Sequence, residues 1–275
     1  MSLIRTGYQQ TFEELSSEDP RLGQVSLLPW DTETFGFPVA TYRVGAEPLE
    51  ESLFEDAMVR FASWVREHEV AVCSCVVPAK SRFWRAHLAD AGFSFIDFGL
   101  RPILTNLSRA PLPDARFLLR PADPNDWQAV EDIALQSFRD GRYHADPLFP
   151  ASLADLRYRD WMRRALRDQN EINRVYVMGS PGTVEGFYHL TVEGTTSDLR
   201  LAAVAPSLKG TMVGFDLYVS ALHELRKLGV HRIVTSISAA NTSVMNVYAM
   251  LGFRFSEPEV IYHWHSEKMA SGAMA

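Results

Sequence analysis

The sequence predicts an α/β protein with a mixed central sheet. The element order in its C-terminal part is helix, helix, three strands, helix, strand, helix and two strands. Three strands joined by short turns pair in antiparallel fashion, and a strand–helix–strand crossover adds a parallel pair. The chain has 275 residues, 47% of them hydrophobic, so it can bury a sizeable core without disulfides or a structural metal.

Apolar spacing and turn residues place each element in chain order. Asp123 is the predicted N-cap of the first helix, in which Trp127, Val130 and Phe138 follow helical spacing. The turns SPG and EGTTS separate the three strands, and Gly229 ends the next helix. The predicted ranges are helices over 123–138, 152–167, 212–228 and 241–250, and strands over 174–178, 185–192, 198–204, 231–237, 253–255 and 259–265.

Composition excludes several classes of function. The 27 Lys+Arg and 34 Asp+Glu residues give a net charge of −7, and no basic block is present, so we expect no nucleic-acid partner. No run of about 20 apolar residues and no signal segment is found, so we expect no membrane association and a cytoplasmic location. Cys73 and Cys75 fall on the same side of a predicted strand, and we expect no bond between them.

Two domains are predicted, with a boundary near residue 112 in the proline-containing segment RAPLPDARF. When VVPAKSRFWRAHLADAGF (76–93) is aligned without gaps to SISAANTSVMNVYAMLGF (236–253), the two Gly-Phe pairs coincide. Ser81 and Leu88 then stand at the positions of Asn241 and Tyr248. Residues 1–112 are therefore interpreted as a weaker copy of a unit that is complete in residues 113–275. The alternative is chance similarity between two strand–helix–strand units.

The stretch VAPSLKGTMVGFDLY can bind an anion. Pro206 ends a strand, and a short loop with Lys209 and Gly210 opens a helix with Gly214 in its first turn. Unpaired amides at a helix start attract phosphate, a glycine permits close approach, and the lysine adds positive charge. The alternative interpretation is an ordinary strand-to-helix turn with an incidental lysine.

The stretch NTSVMNVYAMLGF carries a second candidate. Asn241 is a good N-cap, and Tyr248 lies on the same helix face two turns later. A tyrosine hydroxyl that reaches a thiolate can act as a general acid. A core tyrosine beside a capping asparagine would explain the same pattern.

Together the two stretches resemble the GCN5-related N-acetyltransferase family. That family usually has Pro-x-x-Arg/Gln-Gly-x-Gly-x-Gly/Ala, which stands here as PSLKGTMVG, with Lys209 at the Arg/Gln position and Met212 at the middle glycine. The second signature of the family is matched by Asn241, Tyr248, Gly252 and Phe253.

The resemblance implies that acetyl-CoA is the cofactor, that CoA is released, and that no metal takes part. The pyrophosphate would bind at the glycine turn, the pantetheine arm would follow the strand that ends at Val204, and Tyr248 would protonate the leaving thiolate. The residues it assigns to the cofactor are Val204, Lys209, Gly210, Met212, Val213, Gly214 and Asn241.

A narrower resemblance covers nearly the whole chain. LLPWDTETFGFPVA, AGFSFIDFGL and SFRDGRYHADPLFP look like the dTDP-fucosamine acetyltransferase group. Those enzymes join a partial acetyltransferase-like N-terminal domain to a complete one, and acetylate the 4-amino group of a nucleotide-linked deoxy sugar. By analogy Arg142, Tyr143 and His144 border the acceptor pocket, with Arg142 pairing with a substrate phosphate. A solvated turn is the alternative.

Acetyl transfer also needs a base, because an alkylammonium is not a nucleophile. Glu193, at the end of a predicted strand, is the first candidate, and His189 is a weaker one in the acceptor region. An amide of Val204 or Ala205 could stabilise the oxyanion. His263 and His265 share a strand face, but no third ligand at metal spacing accompanies them, so we interpret them as ordinary strand residues and expect no metal site.

Two other functions remain open at this point. The same cofactor could serve a peptide or amino-acid amine, or the chain could be a non-catalytic CoA-binding or interaction module. Exposed sheet edges also make a homodimer possible.

Overall fold

A computed structural model describes residues 12–15, 20–45 and 50–271. These residues form two compact units that do not follow one cut in the sequence. Unit A contains the described residues through Gly99 together with 141–154 and those from Glu257 onward, and unit B contains 100–140 and 155–256. The boundary predicted near residue 112 falls inside unit B, and the assignment of two related domains stays a prediction.

The helices and strands are numbered in chain order. The strands are β1 Glu13–Glu14, β2 Gln24–Leu27, β3 Val39–Arg43, β4 Val72–Pro78, β5 Phe93–Leu100, β6 Pro102–Thr105, β7 Leu119–Pro121, β8 Asn173–Met178, β9 Gly186–Glu193, β10 Thr196–Val204, β11 Arg232–Thr235, β12 Ile237–Ser238, β13 Arg254–Phe255 and β14 Glu259–His265. The α-helices are α1 Pro29–Phe35, α2 Glu51–Glu67, α3 Arg82–His87, α4 Trp127–Ser137, α5 Arg142–Ala145, α6 Ala151–Arg167, α7 Val213–Lys227, α8 Thr242–Met250 and α9 Glu267–Ala270. Short 3₁₀ helices span Pro20–Leu22, Leu107–Arg109, Pro124–Asp126 and Pro206–Leu208.

Unit B is built on a mixed sheet in the order β13-β6-β11-β10-β9-β8-β7. Strands β7 to β10 are antiparallel neighbours, and the α7 crossover makes β10 and β11 parallel. The alternation of β9 sends Tyr188 and Leu190 into a core with α7 and α8, and Phe187 into a core with α4 and α6. Both faces are therefore covered by helices, as the fold class predicts.

Unit A contains a second mixed sheet, in which β1, β2, β3, β4, β14 and β5 are neighbours in that order. Strands β3 and β4 are parallel and are connected through α2, whereas β14 is antiparallel to both β4 and β5. The predicted strand 259–265 is present, but it completes this sheet rather than the sheet of unit B. Local pattern identifies a strand without naming its partner, which explains the difference.

The predicted elements after residue 120 are all present, with ends shifted by a few residues. Asp123 caps the first turn as predicted, since its Oδ1 accepts the amide of Asn125 at 2.8 Å. Cys73 and Cys75 are buried free thiols on β4. Within the part of the chain that the structure describes, no helix is both long and apolar enough to span a membrane.

Candidate active site

The parallel strands β10 and β11 separate part-way along their length. They pair from Thr196 with Arg232 to Leu199 with Thr235. Strand β10 then continues to Val204, paired with β9, and a register shift between Leu199 and Leu201 places a bulge at this point. A bulge bends a strand and increases its local twist. Beyond Leu199, the edge of β10 that faces away from β9 is thus open to hydrogen bonds from a ligand.

The direction of the amides along this edge follows from one hydrogen bond. The N–H of Ala205 donates to the carbonyl of Glu185 at 2.7 Å, so it points toward the β9 side. Because N–H groups alternate along an antiparallel strand, the N–H of Val204 points to the open edge. Of the two amides considered as oxyanion donors, that of Ala205 is already bonded and that of Val204 is available.

The turn between β10 and α7 presents unpaired amides. After the 3₁₀ helix Pro206–Leu208, Gly210 adopts φ +79°, a left-handed conformation that favours glycine. The first helical bond of α7 runs from the amide of Asp216 to the carbonyl of Met212 at 3.0 Å. The amides of Thr211 and Val213 donate within the turn, to the carbonyl of Leu208 and to Oγ1 of Thr211. Those of Gly210, Met212 and Gly214 have no partner among the described residues. Such a helix start attracts anions.

Space for a ligand exists at this turn. A Cβ added at Gly210 or at Gly214 would meet no atom within 4 Å. Lys209 is exposed, and Met212, which replaces a glycine of the family pattern, is 58% exposed. The open turn, its amides and the lysine together fit a phosphate group.

Tyr248 lies on α8 in a cluster of buried tyrosines. Its hydroxyl is 3.4 Å from Oγ1 of Thr235, the last residue of β11. Its ring packs edge-on to Tyr218, which packs in the same way on Tyr188. Burial raises the pKa of Tyr248, so the hydroxyl keeps its proton at neutral pH. The hydroxyl therefore lies where β10 and β11 separate, as a protonated donor.

Asn241 is the N-cap of α8, as predicted. Its Oδ1 accepts the amide of Val244 at 3.1 Å, which leaves the NH₂ group of the side chain for a ligand. The cap fixes where α8 begins, and it thereby helps to position Tyr248 on the same helix.

An ion pair between Asp198 and Arg200, which the sequence did not predict, lies beside the bulge. Asp198 Oδ2 is 3.2 Å from Nε of Arg200, and the two side chains are 22% and 20% exposed. Burial raises the pKa of Asp198, although Arg200 and Arg101 act in the opposite direction. Asp198 also contributes to the raised pKa of Tyr248, which puts the carboxylate within electrostatic reach of the tyrosine. The signal in the sequence that could have revealed this pair is the placement of two opposite charges at alternate positions of a mainly apolar strand.

The two base candidates taken from the sequence differ in position. Glu193 pairs with Thr196, which is three residues before Leu199 of the last parallel pair. Glu193 therefore lies about 10 Å along the strand from the point where β10 and β11 separate. His189 pairs with Leu201, beside the opening, and is buried. Burial and the positive charge of Arg200 lower the pKa of His189 to about 3, so His189 is neutral and a weak base at pH 7. Its Nε2 is 2.8 Å from Oδ1 of Asn173.

The predicted substrate residues Arg142, Tyr143 and His144 form most of α5 and belong to unit A. Tyr143 is 2% exposed, and its hydroxyl donates to Oδ2 of Asp31 at 2.9 Å. Arg142 lies 3.5 Å from the same oxygen and over the Tyr143 ring. The hydroxyl of Tyr143 is thus used within the protein, whereas the Arg142 side chain is 28% exposed.

The motif that contains Asp31 also builds a core in unit A. Phe35 and Phe37 of WDTETFGF are buried and pack with Tyr143 and Phe149. Phe35 and Phe37 are therefore core residues of unit A, whereas Trp30 of the same motif is only partly buried. Two segments that are distant in the sequence are therefore neighbours in the fold.

A second polar cluster in unit A joins the same loop to β14. Asp146 Oδ2 is 2.6 Å from Nδ1 of His263 and 2.8 Å from Nε2 of His265. Burial alone would raise the pKa of Asp146, but the hydrogen bonds from the two histidines outweigh it and hold that pKa well below its usual range. Burial lowers the pKa of His263. Asp146 adds to the two histidines a third side chain of a type that can ligate a metal, which sequence spacing did not reveal.

Two curated proteins are similar to parts of the chain. The spore coat polysaccharide biosynthesis protein SpsD of Bacillus subtilis (strain 168) is 28% identical over 148 residues, which cover 54% of this chain and 50% of that protein. The mycothiol acetyltransferase of Pseudarthrobacter chlorophenolicus is 26% identical over 169 residues, which cover 57% and 48%. The chain spans about half the length of these curated relatives. No family model matches the chain.

Solved structures match more of the chain. A GCN5-related N-acetyltransferase from Sphaerobacter thermophilus superposes with a TM-score of 0.63 at 13% identity, covering 89% of this chain and 76% of that one. The chain has the fold of the GCN5-related N-acetyltransferases. The fold class taken from the sequence is confirmed. The separated strands, the glycine turn and Tyr248 all lie in unit B.

Proposed function

We propose that the chain is an acetyl-CoA-dependent N-acetyltransferase that acts on a primary amine of a small molecule, with a nucleotide-linked amino sugar as its acceptor. One observation carries the proposal: the open edge of β10 runs directly into an open, glycine-containing helix start, and Tyr248 lies where the edge begins. A thioester carrier with a phosphate-bearing tail matches that order of features.

The residues of unit B fit the cofactor. The unpaired amides of Gly210, Met212 and Gly214, together with the Lys209 side chain and the open space at the two glycines, would hold the pyrophosphate. The outward amide of Val204 and the NH₂ group of Asn241 would hold the arm. The remaining cofactor residues of the proposal are Met212 and Val213. When bound, acetyl-CoA supplies the acetyl group as a thioester.

Two side chains would move protons. The Tyr248 hydroxyl is protonated at neutral pH and would donate to the leaving thiolate. The acceptor ammonium must lose a proton, and Asp198 is nearer to the end of the parallel pairing than Glu193 is. We propose Asp198 as the base, with Glu193 as the alternative that the sequence favoured. His189 would position the acceptor, since its low pKa makes it a poor proton acceptor.

The acceptor class is proposed from a relative and from helix α5. The similarity to SpsD, named for spore coat polysaccharide biosynthesis, suggests a carbohydrate. Arg142 offers a partly exposed guanidinium for a substrate phosphate, with Tyr143 and His144 beside it in α5. A peptide or amino-acid amine is the alternative acceptor. The cytoplasmic location and the homodimer also remain proposals.

The repeat supports a tandem origin of the two units. In unit A, α2 connects parallel β3 and β4, as α7 connects β10 and β11 in unit B. Strand β4 begins at Val72 and its counterpart β11 at Arg232. Helix α3 begins at Arg82 and its counterpart α8 at Thr242. Both pairs of starting residues have the same separation as the two aligned Gly-Phe pairs. We propose that unit A derives from a partial acetyltransferase-like domain that lacks the glycine turn, the Asn and the Tyr.

Gly214→Glu should abolish cofactor binding while the fold persists. A carboxylate would fill the open turn and repel phosphate, although an acidic residue in a first helical turn favours the helix. Wild-type protein should melt several degrees higher with saturating acetyl-CoA, and the variant should show no shift. Val59→Glu, at a 69% exposed position of α2, is the charge-matched control and should keep the shift. A wild-type protein without any shift would favour a non-catalytic module.

Tyr248→Phe should lower kcat roughly 10²-fold or more, because it removes the proposed general acid and keeps the buried ring. The Kd of acetyl-CoA should change less than about threefold, as measured by calorimetry, since the ring packing stays. Tyr262→Phe, a buried tyrosine of unit A, is the matched control. Unchanged turnover would remove Tyr248 from the mechanism.

Asp198→Asn should remove the acidic limb of the pH profile of kcat/KM. A base must be deprotonated, so wild-type activity should fall as the pH drops through the raised pKa of Asp198. Glu193→Gln should leave that limb in place. The opposite pattern would assign the base to Glu193, and a limb that survives in both variants would exclude both carboxylates as the base.

The acceptor is tested with a thiol-release assay on free amino sugars, nucleotide-linked amino sugars, amino acids and peptides. The proposal expects the highest kcat/KM for a nucleotide-linked amino sugar, and Arg142→Met should raise KM for it at least about tenfold. A preference for peptides would overturn the acceptor class while leaving the acetyltransferase activity.

A further inference from the structure

The cluster of Asp146, His263 and His265 brings three metal-ligating atoms together in unit A. Oδ2 of Asp146, Nδ1 of His263 and Nε2 of His265 all lie within 4.8 Å of one another. The histidines occupy alternate positions of β14 and so face the same side of the sheet. The proposed acetyl-transfer residues of unit B are not part of the cluster.

The carboxylate is oriented for this role. Oδ1 of Asp146 accepts the amide of Leu148 at 3.0 Å, and the carbonyl of Asp146 accepts the amide of Phe149 at 3.2 Å. These bonds hold the side chain with Oδ2 toward both imidazoles. Supporting hydrogen bonds of this kind commonly fix the direction of metal ligands.

Burial and charge make an ion favourable at this place. The three side chains are only 0–5% exposed. Within the described residues, Asp146 has ion-pair distances only to the two histidines, whereas Arg142 pairs with Asp31. A divalent cation at this place would compensate the buried carboxylate of Asp146.

We propose that Asp146, His263 and His265 bind one divalent zinc ion. Two imidazoles and a carboxylate form a donor set that suits zinc, and no thiolate is involved. Tetrahedral zinc sets neighbouring ligand atoms about 3.3 Å apart, so the hydrogen-bonded atoms at 2.6 and 2.8 Å must separate by roughly half an ångström or slightly more.

Zinc binding also determines which ring nitrogen of each histidine carries the proton. Each neutral imidazole binds zinc through the nitrogen that now faces Asp146, so its proton moves to the other ring nitrogen. In His263 that atom is Nε2, which has no hydrogen-bond partner among the described residues. Three protein ligands leave one coordination position for water or an external anionic group.

Calorimetry of the full chain tests the site after removal of metals with a chelator. Zinc chloride should bind with a stoichiometry of one and raise Tm. Asp146→Asn and His265→Gln should each weaken zinc binding at least about tenfold. His68→Gln removes a histidine of unit A outside the cluster and should leave the affinity unchanged.

A second measurement keeps the test decisive if one variant folds poorly. Cobalt(II) added to the wild-type protein should give the visible absorption of a tetrahedral site, and one equivalent of zinc should abolish it. Absence of both zinc binding and cobalt absorption would show that the cluster is a hydrogen-bonded network only. Wild-type zinc affinity in folded Asp146→Asn and His265→Gln would also overturn the proposal.

Discussion

The end of the parallel pairing between β10 and β11 is the constraint on which the site in unit B depends. As long as two parallel strands are paired, their backbone groups satisfy each other and no ligand can enter. The pairing ends at Leu199 with Thr235, and the bulge next to this pair redirects β10. Thr235 is also the residue that Tyr248 contacts, and Asp198 precedes Leu199. An open backbone edge, a protonated hydroxyl and a half-buried carboxylate therefore share one position in the sheet.

The two units share an arrangement of strands and helices but place their buried polar residues differently. Both contain a parallel pair connected by a long helix. The site proposed in unit B uses residues that local geometry requires, such as Gly210 with its positive φ and Asn241 at the helix start. In unit A the buried polar residues instead connect the loop of residues 141–154 to α1 through Asp31 and to β14 through His263 and His265.

Sequence reasoning succeeded where the signal is local and failed where it depends on a partner. The helix caps at Asp123 and Asn241 and the turn at Gly210 follow from side-chain chemistry within a few residues, and all were predicted. The pKa of His189 could not be predicted, because burial by α6 and the nearness of Arg200 set it. Asp198 was missed because its closeness to the proposed site depends on where the neighbouring strand β11 ends, and the sequence of β10 does not encode that.

The sequence by itself determined the fold class, the order of elements and the positions of the glycine turn, Asn241 and Tyr248. Periodicity and capping act over one or two turns, so these features are encoded in adjacent residues. Only the tertiary structure decided that β14 completes the sheet of unit A, and that Asp146 meets His263 and His265 from a distant part of the chain. Strand partners and buried charge pairs are selected by the packing of distant segments, and a linear pattern carries no record of which segments meet.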